Sequence, residues 1–395
     1  MATSNRWLLP EGIEELLPPQ ADHLETLRRE LLDLFKGWGY ELVTPPLIEY
    51  LESLMVGAAY DLMPETFTLT DQLSGRLMGI RADMTPQMAR IDAHHFKLDA
   101  PVRLCYVGTV LRTRPDGFIR TRSPMQVGAE LYGHAGVESD GEVLCLMTEM
   151  LAAMGLSDVH IDLGHVGIYR ALVRQAGLGA AEEEQLFRHL QRKAKPDIEQ
   201  FLSRCTIDGA VSAMLIGLVD MNGGAEVLDE ARGVFKPASK EVHAALENLQ
   251  QVAAQVRGRK PSLSIWYDLA ELRGYRYQTG VVFAAYVAGH GQEVARGGRY
   301  DEIGREYGRA RPATGFSADL KTLMAVSSRA AAARPSAILA EWSDDAEQEQ
   351  FVNALRSGGE RVIYHLPKQA GTEKDLGCDR RIEKCDGRWI VKAIK

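Results

Sequence analysis

Apolar residues recur at Leu24, Leu27, Leu31, Leu34 and Phe35. This 3.6-residue period predicts an amphipathic helix from Asp22, its expected N-cap, to the break at Gly37 and Gly39. YELVTPPLIEY follows, a short β-rich run that must lie at a sheet edge, because Pro45-Pro46 offers a ladder no donors. A helix leading into such an edge suits a dimer interface or a plain surface equally well. FTLTDQLSGRLMGIR alternates on both sides of Ser74-Gly75 and predicts a hairpin, and ADMTPQMARI then opens a helix. VRLCYVGTVLR and MQVGAELYG predict two strands. They flank LRTRPDGFIRTR, where Arg112, Arg114, Arg120 and Arg122 surround a Pro-Asp-Gly turn. A helical period returns over about 138–155.

Between about 167 and 258 the chain becomes charged and helical, with no strand signal, as in AAEEEQLFRHLQRKAKPDIEQFLSRC. Strands resume at LSIWYDLA and YQTGVVFAAYV, so the helical block is expected as an insertion into a sheet domain. AAAARPS marks a linker near 330–336, followed by a strand (AILAEW), a helix (DAEQEQFVNALRSGG) and further strand (RVIYHL, RWIVKAI). Antiparallel strands with helices kept to one side predict an α+β fold rather than a doubly wound sheet. The expected organisation is a sheet domain of residues 1–166 and 259–328, a helical insertion of 167–258, and a small C-terminal α/β domain of 329–395.

Charge narrows the function. With 46 Lys plus Arg against 54 Asp plus Glu, the net charge is −8, which argues against a large nucleic-acid footprint. The arginine-rich segment is a local feature of an acidic chain. Five scattered cysteines are expected to be reduced thiols, Cys378 and Cys385 being the one pair at plausible spacing for a metal or a disulfide. The N-terminal stretch has no unbroken apolar core, and no run approaches the ~18 residues of a membrane helix, so a cytoplasmic protein is expected.

Candidate chemistry gathers around three acids, Asp83, Glu130 and Asp301, that could face one pocket with the arginine segment. With the Thr85 hydroxyl and the Gln126 amide, they suit an ammonium and an imidazole, the groups of a small amino acid such as histidine. Alternatively, Gln126 and Glu130 merely share a strand face and pair structurally. ARGGRYDEIG puts Gly297-Gly298 where backbone approaches a ligand or another strand closely, with Tyr300 and Asp301 expected to open a helix. In GFSADLKTL a short strand turns into a helix. Adjacent His94 and His95 diverge, and no metal-ligand spacing or nucleophile triad stands out.

In order, these segments resemble the motifs of class II aminoacyl-tRNA synthetases, specifically the histidyl-tRNA synthetase family. The first helix with YELVTPPLIEY resembles motif 1, the dimer strand; VLRTRPDGFIRTRSPMQVGAE resembles motif 2; GFSADLKTL sits at motif 3. RADMT resembles the family's R-P-E-G-T loop, ELRGYRYQTGVVF its R-G-L-D-Y-Y signature, and ARGGRYD its A-G-G-R-Y-D signature. The likeness spans residues 5 to about 325. It implies histidine contacts at Asp83, Thr85, Gln126 and Glu130, with Arg112 as the retained motif 2 arginine. It also implies Arg273 at the arginine that meets the histidine carboxylate, and Tyr277 and Gln278 nearby.

The departures fall on the ATP half. Motif 2 usually reads F-R-x-E, and here Arg114 replaces the acid; where motif 3 has an arginine for the γ-phosphate, this chain has Thr322, with Asp319 in place of a glycine. Losing a charge-assisted phosphate contact costs roughly 1.5–3 kcal/mol. A carboxylate about 4 Å from a phosphate charge adds up to about 4 kcal/mol of repulsion. Every ~1.4 kcal/mol is tenfold in binding, so ATP activation is not expected. Gln278 replaces the last signature tyrosine and Arg276 its aspartate. The tail is also shorter than the roughly hundred residues of a full anticodon-binding domain. Together these features resemble a non-synthetase branch of the family, the regulatory subunits of ATP phosphoribosyltransferase. That resemblance implies a non-catalytic, cofactor-free protein of histidine biosynthesis. It would dimerise, join a short-form catalytic subunit in a hetero-octamer, take L-histidine as effector and bind no tRNA.

Overall fold

The computed structural model describes residues 7–56, 62–115, 121–330 and 335–394, which fall into two compact units, 1–330 and 331–395. Asp116 and Gly117 of the expected turn, Arg120, and most of the 330–336 linker lie outside the described residues.

The first unit opens with α1 (Gln20–Gly37). The helix starts two residues before the expected cap. Pro19 occupies the N-cap position, and Asp22 lies in the first turn, where its charge complements the helix dipole. β1 (Glu41–Leu42) is an edge strand, as the prolines require, but it spans only two residues and runs parallel to β5. Pro45 and Pro46 fall beyond it, their carbonyls accepting Arg81 Nη1 and Gln87 Nε2, each at 2.8 Å. The chain then forms β2 (Ile48–Tyr50), α2 (Leu51–Leu54), and the expected hairpin of β3 (Phe67–Thr70) and β4 (Leu77–Ile80), a separate three-stranded sheet. α3 (Thr85–Ile91) runs into a π-helical turn carrying His94 and His95.

The long strands β5 (Val102–Thr109) and β6 (Met125–Tyr132) pair antiparallel, and α4 (Val137–Ala153) and β7 (Val159–His165) follow. The insertion supplies α5 (Val166–Ala176), α6 (Ala180–Gln191), α7 (Lys195–Leu202), α8 (Gly209–Gly217), β8 (Asn222–Gly223), α9 (Glu226–Val234) and α10 (Lys240–Arg259). Contrary to expectation it contains a strand: β8 pairs with β9 through two residues, too few to show a period of two. β9 (Ser264–Asp268), β10 (Val281–Val287), β11 (Ala295–Arg299), β12 (Ala313–Asp319) and α11 (Leu320–Val326) complete the unit. Tyr300 and Asp301 do not open a helix; they leave β11, and a 3₁₀ turn begins at Ile303.

Nine strands form one sheet in the order β1-β5-β6-β12-β11-β10-β7-β9-β8, antiparallel except for β1/β5 and β7/β9. This is the expected α+β class II synthetase-like architecture. On β6, Val127, Ala129 and Leu131 enter the main core with α1, α4 and α11, to which the insertion also contributes Leu186, Leu215 and Leu249. The insertion therefore shares the core of its host. Residues of opposite parity, Gln126, Gly128, Glu130 and Tyr132, face the other side, which the short α3 covers through Met84 and Met88. Helices are thus not confined to one face.

In the second unit β13 (Ala337–Glu341), α12 (Ala346–Ser357), β14 (Val362–His365), β15 (Cys378–Cys385) and β16 (Arg388–Ala393) build a four-stranded sheet, ordered β14-β13-β15-β16. Asp345 caps α12 through Glu347 N at 2.8 Å. β15 was hidden in the sequence because its residues are mostly charged. It settles the cysteine question: Cys378 and Cys385 sit at opposite ends of an eight-residue strand, about 23 Å apart at ~3.3 Å per residue. They can share neither a disulfide nor a metal.

One buried ion pair joins the sheet to α4. Arg299 Nη2 meets Asp140 Oδ2 at 3.0 Å, and the same guanidinium binds Ser139 Oγ at 2.8 Å and the carbonyls of His134 and Gly136. Arg299→Ala would strand the Asp140 carboxylate in the interior. It is expected to cost about 3–5 kcal/mol in urea unfolding, whereas Arg29→Ala, on the exposed pair with Glu25, is expected to cost under about 1 kcal/mol.

Candidate functional site

Glu130 stands in mid-sheet, opposite Leu104 on β5 and Gly315 on β12. It is 1 % exposed. Its carboxylate accepts the hydroxyls of Thr85 at 3.2 Å, Tyr106 at 3.1 Å and Tyr300. The space for it comes from glycine: a Cβ on Gly315 would overlap Glu130 Oε2, and one on Gly128 would overlap the Tyr106 hydroxyl.

The loop before α3 completes the cluster. Asp83 Oδ1 accepts Thr85 N at 2.8 Å and Gln126 Nε2 at 3.0 Å, while Gln126 Oε1 accepts Met84 N at 2.8 Å. Gln126 therefore uses both ends of its amide to hold the loop that presents Asp83 and Thr85. The two readings left open by strand parity are resolved by division: Glu130 lines a cavity and Gln126 braces it.

That cavity encloses about 260 Å³ and is lined by Asp83, Thr85, Glu130, Arg273, Tyr277 and Gln278, among others. Six of the eight expected contacts thus converge there. Arg112 and Gln126 line a neighbouring recess, which meets the cavity at Arg296 and Ser317. Asp301, the third expected acid, does not line the cavity. It accepts Arg299 Nη1 at 3.2 Å and Ala313 N at 3.0 Å, which makes it part of the frame.

Arg273, Tyr277 and Gln278 ride on the turn between β9 and β10. Arg273 lies between Glu271 Oε2 at 3.5 Å and Glu293 Oε2 at 2.9 Å, and donates to the Tyr286 hydroxyl at 2.7 Å. Burial weakens its hold on the proton, but the two carboxylates outweigh this and raise its pKa. Gln278 is 4 % exposed, and its Oε1 has no partner among the described residues. Left without a donor, a buried amide oxygen costs about 1–3 kcal/mol, and this one is sealed from solvent beside the Gly298 backbone.

Burial raises the Glu130 pKa to about 8; the Tyr300 and Tyr106 hydroxyls oppose the shift, and Asp83 adds to it. This favours the protonated form of Glu130 at neutral pH. A cation placed beside it would favour ionisation.

The neighbouring recess holds about 90 Å³, against about 260 Å³ for the cavity. At one end Asp319 caps α11 through Lys321 N at 3.2 Å and Thr322 N at 3.3 Å, and accepts the Thr322 hydroxyl at 2.7 Å and Met125 N at 2.9 Å. The side chains at the motif 3 positions are turned toward one another. Arg122 braces the N-terminal arm, donating to Glu11 O at 3.1 Å, and lies over the Phe67 ring.

Sequence reasoning missed Tyr106, Tyr300, Glu271, Glu293 and Arg296. The signal for Tyr106 was its position across from Gly128, a large residue facing a residue without a side chain. Tyr300 stood in a segment already singled out for its glycines. The acids around Arg273 left no spacing to read.

The raised Glu130 pKa has a stability signature. The folded state keeps a proton that the unfolded chain releases near the ordinary 4.5. The associated stability is complete below that value and is lost as pH rises toward about 8, with a slope of at most ~1.4 kcal/mol per pH unit. Urea midpoints for wild type and Glu130→Gln are expected to move against wild type between pH 5 and 8. A constant difference would show that Glu130 titrates normally.

Comparison with known proteins places the chain in a family. Residues 12–323 match the profile of the histidyl-tRNA synthetase family, and residues 335–392 match that of the ATP phosphoribosyltransferase subunit HisZ C-terminal domain. A protein of Thioalkalivibrio sulfidiphilus named ATP phosphoribosyltransferase regulatory subunit is 58% identical over 392 residues, 99% of each chain. One of the same name from Alkalilimnicola ehrlichii is 54% identical over 99% of this chain and 98% of its own. A solved structure from Bacillus halodurans, described as an ATP phosphoribosyltransferase regulatory subunit/histidyl-tRNA synthetase, superposes with a TM-score of 0.81 at 27% identity, covering 94% of this chain and 96% of that one. The synthetase-like body and the HisZ-type tail occur here in one chain, matched over nearly its whole length, and the chain belongs to the family of ATP phosphoribosyltransferase regulatory subunits.

Proposed function

We propose that this chain is the non-catalytic regulatory partner of a short-form ATP phosphoribosyltransferase, acting in the cytoplasm at the first step of L-histidine biosynthesis, and that its Glu130 cavity holds L-histidine as feedback effector. The observation that carries the reading is the contrast between two adjacent hollows. One gathers Asp83, Thr85, Glu130 and Arg273 around a cavity of amino-acid size, while the other ends on Asp319, whose carboxylate is spent on capping α11.

The chemistry of the cavity suits histidine. Asp83, Thr85 and Glu130 offer oxygens to an ammonium or imidazole N–H, the Gln278 side chain packs along the wall, and Arg273 meets the carboxylate. Glu271 and Glu293 compete for Arg273, which favours a zwitterion over a simple carboxylic acid. Binding that favours one arrangement of the hetero-octamer would, by linkage, make histidine affinity depend on the catalytic subunit. The exposed Leu42, Leu47 and Ile48 around β1 support self-association through the motif 1 edge.

The competing activity is histidyl-tRNA synthesis. The purified chain is expected to show no histidine-dependent exchange of pyrophosphate into ATP; measurable exchange would establish the synthetase instead. Calorimetry is expected to detect L-histidine binding by wild type and at least tenfold weaker binding by Glu130→Ala, and equal affinities would remove Glu130 from the site. At pH 7, runs in buffers of different ionisation enthalpy are expected to show proton release on binding. Co-expression with a short-form catalytic subunit is expected to give a co-purifying complex with raised, histidine-sensitive activity.

A further inference from the structure

The turn that carries Arg273, Tyr277 and Gln278 faces two ways. Gly274, at φ +66°, bends it tightly enough for both Tyr277 N and Gln278 N to bond Gly274 O, at 2.9 and 2.8 Å. Tyr277 and Gln278 turn to the cavity, while Tyr275 and Arg276 turn to the helical insertion.

Tyr275 is enclosed there. Its ring meets Tyr169 edge-on at 5.1 Å and Phe187 at 5.2 Å, and the Arg170 guanidinium lies 4.8 Å from its centroid. Its hydroxyl donates to Glu183 of α6 and its carbonyl accepts from Arg170 of α5. Arg276, the residue that departs from the family's aspartate, pairs with Glu184 of α6 at 3.1 Å. One turn further along α6, Phe187 lines a chamber of about 320 Å³ that adjoins the cavity, and Gln191 lines both.

We infer that α6 is a wall of the effector cavity, and that Tyr275 and Arg276 are positioning residues that tie the placement of Gln278 and Arg273 to the helical insertion. This rests on the reading of the cavity as a histidine site. A ligand that takes the Arg273 guanidinium and packs against Gln278 and Tyr277 fixes the turn. The turn fixes α6 through Glu183 and Glu184, so occupancy is passed to a helix that no sequence motif connects with the site. The coupling runs both ways: loosening α6 weakens the ligand.

The test uses the full chain, with L-histidine as the probe. Calorimetry is done on wild type, Tyr275→Ala, Tyr275→Phe, Arg276→Glu, and Arg276→Glu combined with Glu184→Arg. Amide exchange across residues 183–191 is followed with and without histidine. Tyr275→Ala is expected to weaken binding about tenfold or more, and Tyr275→Phe, which keeps the ring, by less. Arg276→Glu is expected to cost roughly twofold to fivefold, given the exposure of the pair, and the double exchange to restore most of it. Histidine is expected to slow exchange in α6 of wild type, and the slowing is expected to shrink in Arg276→Glu and to return in the exchanged pair. Wild type that binds histidine without slowing exchange in α6, together with unchanged affinity in the Arg276 variants, overturns the inference alone. Wild type that does not bind histidine removes the effector reading, and this inference with it. The Arg276 variants lie on the surface, so the test does not depend on Tyr275→Ala remaining folded.

Discussion

A carboxylate in the middle of a nine-stranded sheet must be solvated by protein, and much of this molecule meets that demand at Glu130. Three hydroxyls do the solvating, from a strand neighbour (Tyr106), the first residue of a helix (Thr85) and the turn after β11 (Tyr300). Each source constrains its own element. Tyr106 needs Gly128 opposite it, Glu130 needs Gly315, and Thr85 needs Asp83 and Gln126 to hold the loop. Tyr300 supports one Glu130 oxygen and Tyr106 and Thr85 share the other, so the members are coupled through a single carboxyl group. Its solvation is still short of water's, which is why Glu130 retains a proton.

The same economy explains how the sheet is tied to its surroundings. Arg299 leaves β11 for the start of α4 and satisfies Asp140, Ser139 and two carbonyls with one guanidinium. Asp301, two residues on, steadies both that arginine and the beginning of β12. The segment AlaArgGlyGlyArgTyrAsp thus gives its glycines to close strand approach, its tyrosine to the cavity and its second arginine and aspartate to the frame. Site residues and frame residues alternate along one short segment.

Much of this was legible in the sequence, and the reasons differ by residue. The long strands β5 and β6 announced themselves because eight apolar-rich residues sit between turn-formers, and α1 because five apolar residues kept one face. β15 and β8 stayed hidden, the first behind charge on an exposed sheet and the second behind brevity. At the site, Glu130, Thr85, Asp83 and Arg273 followed from resemblance to motifs. The partners that decide their chemistry did not, because Tyr286 on β10, Glu293 in the loop after it and Tyr300 just past β11 meet Arg273 or Glu130 only after the sheet is assembled. Asp301 was misread for the converse reason: a carboxylate beside a functional tyrosine looks functional until its hydrogen bonds are seen.

Asp319 began as a sign of lost nucleotide binding, yet in the folded chain it caps one helix and holds the first residue of β6. A helix cap is worth about 0.5–2 kcal/mol, and here it comes with a cross-strand anchor. Restoring an arginine at position 322 while Asp319 stays would set the new guanidinium against a carboxylate already in use, and removing Asp319 first would loosen α11 before any phosphate could be gripped. Any route from this recess to a phosphate grip therefore descends in stability before it can rise in function, because the carboxylate that stands in the way is also the one that starts the helix.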